Sequence, residues 1–186
     1  MSNVKRINVN KDTVIAAVSS LVFLVSLIPI LVLGFFDYAS GDDLGYGAPC
    51  RSVLRAGGNV REVLKAASSD VIREYYSWGG NWASGFLHRF EPSVFGERLY
   101  CITVILSIIA LTLPTFFLMR KLLVKKAGMK ISVFIAIYSL MTLILIQFMP
   151  SPRGGIFWFT GATAYTLAFG AAISTLLFSV DYLESG

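Results

Sequence analysis

Four long apolar runs alternate with polar segments along this chain. They occupy about residues 13–36, 99–119, 131–149 and 160–180, and none of them contains Asp, Glu, Lys or Arg. At about 1.5 Å per residue, a helix of this length crosses a hydrocarbon layer roughly 30 Å thick. The pattern predicts an all-α, polytopic integral membrane protein whose single membrane domain, residues 1–186, contains four transmembrane helices.

The distribution of charge predicts the orientation of these helices. Three Lys or Arg residues precede the first run, and residues 120–130 contain five of them with no acid. Cationic segments stay on the cytoplasmic side, so we expect both termini and the basic loop 120–130 to be cytoplasmic. Loops 37–98 and 150–164 then face outward. The net charge of +5 arises from the cytoplasmic segments, so no nucleic-acid partner is predicted.

The loop 37–98 has a helical pattern of its own. Apolar side chains recur at helical spacing from Val60 to Tyr75, and Asn59 and Glu62 are placed as an N-cap and its N3 partner. This pattern predicts an amphipathic helix that begins at Asn59. A Ser-Ser-Asp sequence at residues 68–70 predicts a break, with a second amphipathic helix after it.

Two adjacent carboxylates follow the first apolar run. Asp42 and Asp43 lie at its outer edge, next to the bilayer. Such a pair suits general-base catalysis or the binding of a divalent cation between the two carboxylates. The start of a solvated loop is the equal alternative, and one of the two acids is also suited to capping a helix.

Aromatic and basic residues of both outer loops are candidates for substrate binding. Aromatic rings pack against the apolar faces of sugars, whereas imidazole and guanidinium groups bind hydroxyls or phosphate. The alternative is structural, because Trp and Tyr also favour the membrane interface and a lone Arg or His is often only an interfacial side chain. The candidates are Trp78, Trp82, His88, Arg89, Arg153, Trp158 and Tyr165.

The chain contains two cysteines, both on the predicted outer side. A disulfide between Cys50 and Cys101 is conceivable in an oxidising compartment, and an unpaired, apolar role is the alternative.

Three sequence elements together resemble the start of the GT-C superfamily of polytopic membrane glycosyltransferases, in particular bacterial O-antigen glucosyltransferases. They are the Asp42-Asp43 pair after a membrane helix, the stretch Tyr-Tyr-Ser-Trp-Gly-Gly-Asn-Trp at 75–82, and the stretch Phe-Trp-Phe-Thr-Gly-Ala-Thr-Ala-Tyr at 157–165. The resemblance implies a cell-envelope enzyme of the bacterial inner membrane. It implies transfer of a sugar from a polyprenyl-phosphate donor to a glycan acceptor, with Asp42 or Asp43 as the base or as ligand to a divalent cation.

Members of that superfamily have more spans than four, so the resemblance corresponds to the N-terminal portion of such an enzyme. A second hypothesis is a non-enzymatic four-span accessory or assembly protein that binds a membrane partner through its aromatic loop. A channel or transporter is disfavoured, because no ionisable residue lies within the first three runs.

Overall fold

A computed structural model describes residues 10–185, and in this part of the chain every regular element is helical. The seven main helices are α1 (Lys11–Phe35), α2 (Asp42–Arg55), α3 (Val60–Ser77), α4 (Trp82–His88), α5 (Glu97–Lys126), α6 (Ile131–Gln147) and α7 (Phe159–Ser185). Two short helical turns, Pro92–Val94 and Arg153–Phe157, lie in the connections.

Three of these helices, α1, α5 and α7, are long and apolar enough to cross a membrane, and α6 is a shorter apolar helix of 17 residues. The predicted all-α membrane fold is confirmed, and the chain is a multi-pass membrane protein. The helices extend beyond the uncharged runs: α5 continues through the predicted loop at 120–130 as far as Lys126, in a π-helical segment Arg120–Lys126. Lys and Arg are good helix formers, so their charge ends the apolar run without ending the helix.

The membrane helices form two main pairs. Helix α1 packs chiefly against α6, and α5 packs chiefly against α7. The first pair is joined by a hydrogen bond between the hydroxyls of Ser20 and Ser139 at 3.1 Å. The side-chain amide of Gln147 also donates to the carbonyl of Ser26 at 2.9 Å. Such bonds satisfy polar groups that lipid cannot.

A proline and a glycine explain the close approach of the second pair. Pro114 has no backbone N–H, so the carbonyl of Ala110 lacks its usual partner in α5. Gly170 of α7 faces this carbonyl, and a Cβ at position 170 would lie only 2.7 Å from its oxygen. A small residue is therefore required here, as is common where membrane helices touch.

The segment between α1 and α5 folds into a small helical layer. Asn59 and Glu62 form a capping box: the Glu62 N–H donates to Asn59 Oδ1 at 3.1 Å, and the Asn59 N–H donates to Glu62 Oε2 at 2.9 Å. The predicted start of α3 is thus correct. The predicted break at 68–70 is wrong, because α3 continues through these residues to Ser77.

Helix α3 continues through residues 68–70 because of a tertiary contact. Asp70 accepts hydrogen bonds from Arg89, which follows α4, and so remains in the helix instead of bonding to its own backbone. The buried apolar residues beneath this layer are Cys50, Val63, Ala67 and Val94. Helices α2, α3 and α4 therefore form one unit at a single end of the bundle, which we call the loop-bearing end.

Candidate functional site

The Asp42-Asp43 pair lies in the first turn of α2, immediately after Gly41. Gly41 adopts a φ of 56°, a left-handed conformation that turns the chain from α1 into α2. Acidic side chains in a first turn interact favourably with the helix dipole. Successive helical residues point about 100° apart, so the two carboxylates diverge. Asp42 is exposed, whereas Asp43 is 0% exposed.

Asp43 connects three helices through its carboxylate. Its Oδ1 accepts from the backbone N–H of Thr160 at 2.9 Å and from the Thr160 hydroxyl at 2.6 Å. Its Oδ2 accepts from the hydroxyl of Tyr100, near the start of α5. The Tyr100 oxygen in turn accepts from the N–H of Phe159 at 3.0 Å.

These bonds cap the N-terminus of α7 with side chains that are distant in the sequence. The first N–H groups of a helix have no partner within it, and here those of Phe159 and Thr160 bond to Tyr100 and Asp43. A buried carboxylate also complements the positive end of the helix dipole. Asp43 thereby fixes α2 against the start of α7, while Asp42 stays outside this network.

The two carboxylates of the pair lie in different environments. Both oxygens of Asp43 already accept hydrogen bonds, whereas Asp42 is exposed. Within residues 10–185, no group of three or more His, Cys, Asp or Glu side chains could bind a metal ion. A divalent cation bound by Asp42 and Asp43 stays a prediction.

Asp42 borders a polar cleft of about 390 Å³, which we call the Asp42 cleft. Its lining is Asp42, Gly45, Tyr46, Asp70, Arg73, Glu74, Ser77 and Arg89. The far wall ends at Ser77, where the aromatic stretch 75–82 begins to turn from α3 into α4. The cleft thus places an accessible carboxylate beside hydroxyl and guanidinium groups.

Arg89 is 1% exposed and its guanidinium is engaged inside the protein. It donates to Asp70 at 2.8 Å and 3.1 Å, to the Gly85 carbonyl at 2.8 Å, and also to Glu74. Its Cζ atom lies 4.8 Å from the ring centroid of Tyr46. Arg89 therefore joins α3, α4 and α2, and two carboxylates occupy the positions that a phosphate would need.

His88 is a buried imidazole packed on Tyr46, with ring centroids 5.0 Å apart. Neither of its nitrogens has a hydrogen-bond partner in the described part of the chain. Burial lowers the pKa of His88 below its ordinary value, and the positive charge of Arg89 lowers it further. The folded protein therefore contains neutral His88 at pH 7.

This depressed pKa predicts how stability changes with pH. Above the ordinary histidine pKa of about 6.5, His88 is neutral in both the folded and the unfolded chain. Below that pH, His88 binds a proton readily only in the unfolded chain. The free energy of unfolding is therefore expected to fall on acidification, by up to about 1.4 kcal/mol per pH unit. Thermal unfolding in detergent at pH 7.5 and 5.5 measures this effect. His88→Gln should reduce the pH dependence, since His88 is the sole histidine of the sequence; an unchanged dependence would contradict the assignment.

The aromatic candidates lie in different environments. Trp78 is 86% exposed and Trp82 is also exposed, so the turn between α3 and α4 has two solvent-accessible indole rings. Trp158 is half-buried before α7, and Tyr165 is exposed beside an apolar cleft between α5, α6 and α7. The structure brings the two loops together through Asp43, but it does not gather the four aromatic side chains around one point.

Cys50 and Cys101 do not pair. The Cys50 thiol is buried and its sulfur lies 3.8 Å from the Val63 carbonyl, whereas the Cys101 thiol donates to the Arg98 carbonyl at 3.3 Å. Burial raises the pKa of the Cys50 thiol, which keeps it protonated and apolar in character.

Three residues of this region were missed by the sequence analysis: Asp37, Tyr100 and Thr160. Tyr100 and Thr160 are polar positions at the ends of apolar runs, which is a signal that they need partners near the interface. Asp37 follows α1 and lines a second cleft with Arg153.

Comparison with protein-family models, curated proteins and solved structures finds no match to this chain.

Proposed function

We propose that this chain is a membrane glycosyltransferase, or the N-terminal portion of one, that transfers a sugar from a polyprenyl-phosphate donor to a cell-surface glycan. The observation that carries the proposal is that the two adjacent acids, Asp42 and Asp43, differ in exposure. Asp43 is a buried anchor, and Asp42 is an accessible carboxylate at the rim of a polar cleft. A base needs this access to the hydroxyl from which it removes a proton.

In this proposal Asp42 is the general base that activates the acceptor hydroxyl, and Asp43 is a positioning residue. Trp78 and Trp82 supply exposed rings near the cleft for packing against the glycan. Arg153 is the cation available to the donor phosphate, because Arg89 is already bonded to Asp70 and Glu74. We further propose that the loop-bearing end faces outward from the bacterial inner membrane, with the basic end of α5 in the cytoplasm.

A second candidate function is an accessory protein that binds a membrane partner. The observation that favours it is the exposed aromatic surface formed by Tyr76, Trp78 and Trp82. Exposed aromatic clusters of this kind often mark interaction sites.

The surface-glycan mass profile of cells that express the chain separates the two functions. For a transferase, expression adds a sugar mass to the glycan, and Asp42→Asn abolishes this addition at equal membrane levels. For an accessory protein, Asp42→Asn is tolerated, whereas Trp78→Ala and Trp82→Ala disrupt co-purification with the partner. Asp12→Asn is the matched control, because Asp12 lies at the opposite end of α1 beside Lys130.

A further inference from the structure

A third cleft, of about 470 Å³, lies between the end of α1, helix α2 and the start of α5. Tyr38, which follows α1, forms one edge of it, and Glu97, the first residue of α5, forms another. Both α1 and α5 are long and apolar enough to cross a membrane. The cleft therefore lies where two membrane helices end, at the level of the lipid headgroups. We call it the Arg55 cleft, after a residue of α2 that also lines it.

Arg51 forms a fixed wall of this cleft. Its Nη2 group donates to Glu91 Oε1 at 2.6 Å and to the Ser93 hydroxyl at 3.1 Å. Glu91 is 0% exposed, and it also accepts from the N–H of Ser93 at 2.8 Å and from the Ser93 hydroxyl at 2.6 Å. The buried carboxylate holds the Arg51 side chain in place and balances its charge. The Nε and Nη1 groups of Arg51 form no hydrogen bond to residues 10–185, so they remain as donors for a ligand.

Two further charges of opposite sign line the same cleft. Arg55 and Glu97 are both exposed. Within the described residues neither forms an ion pair, either with the other or with a third residue. The cleft thus offers a guanidinium and a carboxylate that are separated from each other and accessible from outside.

A ligand that carries both a negative and a positive charge complements this lining. An anion alone is repelled by Glu97, and a cation alone is repelled by Arg55. A guanidinium binds phosphate through paired N–H groups, and a primary ammonium donates up to three hydrogen bonds to a carboxylate. The position at the ends of two membrane helices, with Leu44 of the lining 49% exposed, favours a lipid over a soluble zwitterion.

We propose that the Arg55 cleft binds the headgroup of phosphatidylethanolamine, with the phosphate on Arg55 and Arg51 and the ammonium on Glu97. The bound lipid links α2 to the start of α5 and so attaches the loop-bearing end to the bilayer surface. This site is independent of the proposed transferase function, because none of its residues has a role in sugar transfer.

The chemistry of the site predicts selectivity among lipid headgroups. Phosphatidylcholine has the same phosphate, but its methylated nitrogen has no N–H to donate to Glu97. Phosphatidylglycerol has no cation and therefore leaves the Glu97 carboxylate facing a negative charge. Phosphatidylethanolamine is expected to bind roughly threefold to tenfold more tightly than either, the range for one charged hydrogen bond at an exposed site.

Native mass spectrometry of the full chain in detergent, titrated with the three lipids in forms that share the same acyl chains, tests the assignment. Arg55→Gln is expected to weaken binding of phosphatidylethanolamine and phosphatidylcholine alike, by roughly threefold to tenfold. Glu97→Gln should lower binding of phosphatidylethanolamine to the level of phosphatidylcholine. Glu97→Lys should reverse the preference, so that phosphatidylglycerol binds most tightly; loss of folding cannot produce this gain. Arg51 is left intact, because its removal would strand the buried carboxylate of Glu91.

Matched controls define the outcomes. Arg61→Gln removes an exposed cation of α3 that does not line the cleft, and it should leave binding of all three lipids unchanged. The assignment is wrong if the native chain binds the three lipids equally, if Arg55→Gln acts no more strongly than Arg61→Gln, or if Glu97→Lys leaves the preference unaltered. Free phosphoethanolamine should fail to displace the lipid; displacement would show that the cleft takes a soluble zwitterion and would overturn the lipid assignment.

Discussion

Under the proposed transferase function, replacing Asp42 by asparagine is expected to lower the rate of sugar transfer by about 10²–10⁴-fold, the usual contribution of a general base. The same change at Asp43 is expected to act differently, through folding. An asparagine side chain in place of Asp43 keeps one oxygen for Thr160 but turns an amide donor toward the hydroxyl of Tyr100. Loss of this charged, buried hydrogen bond should reduce the free energy of unfolding by about 1–3 kcal/mol.

The two neighbouring substitutions control for each other. Transfer of labelled sugar in proteoliposomes measures activity, and tryptophan fluorescence during heating in detergent measures stability. Asp42→Asn should change stability by no more than about 0.5 kcal/mol, because Asp42 is exposed. If Asp43→Asn instead leaves stability unchanged and abolishes transfer, the buried carboxylate is the base and the assignment of roles is reversed.

Substitution of Gly161 by alanine is expected to destabilise the loop-bearing end by about 1–3 kcal/mol, the usual range for overpacking. A Cβ on Gly161 would overlap the carbonyl oxygen of Gly154 and approach Trp158 Cε3 to 2.8 Å. Backbone atoms cannot move aside as a flexible side chain does. The start of α7 must therefore shift, and Thr160 is expected to lose its bonds to Asp43.

Gly45→Ala is the matched control, since Gly45 also lies within a helix and no atom within 4 Å would meet its Cβ. It should be neutral or stabilising by roughly 0.5–1 kcal/mol, because alanine loses less conformational freedom on folding. Thermal unfolding and protease digestion of the loops compare the two variants. Equal stability of Gly161→Ala and the native chain would show that the turn 153–157 is not packed against α7 as described.

The bundle itself was predictable from the sequence, because apolar runs of membrane length have few alternatives to a helix. The start of α3 was predictable for a local reason: Asn59 and Glu62 satisfy each other's backbone within one turn. The break at 68–70 was predicted wrongly, because the partner that retains Asp70 in the helix is Arg89, 19 positions away.

The roles of the acidic pair depend on still longer distances in the sequence. Asp43 bonds to Tyr100 and Thr160, which lie 57 and 117 positions further along the chain. No local pattern distinguishes the buried carboxylate from the exposed one until α2 is known to be a helix. The burial of Asp37 Oδ2, which has no hydrogen-bond partner within residues 10–185, is equally a property of the packed end of the bundle.

The pairing of the membrane helices also bears on how the chain enters the membrane. Helix α1 packs chiefly on α6. During synthesis it therefore has no α6 to pack against until the segment between α1 and α5, and all of α5, have been made. Throughout that interval the hydroxyl of Ser20 and the carbonyl of Ser26 lack the partners that Ser139 and Gln147 later provide. A nascent chain interrupted before α6 would therefore leave these two polar groups without their interhelical hydrogen bonds inside the lipid.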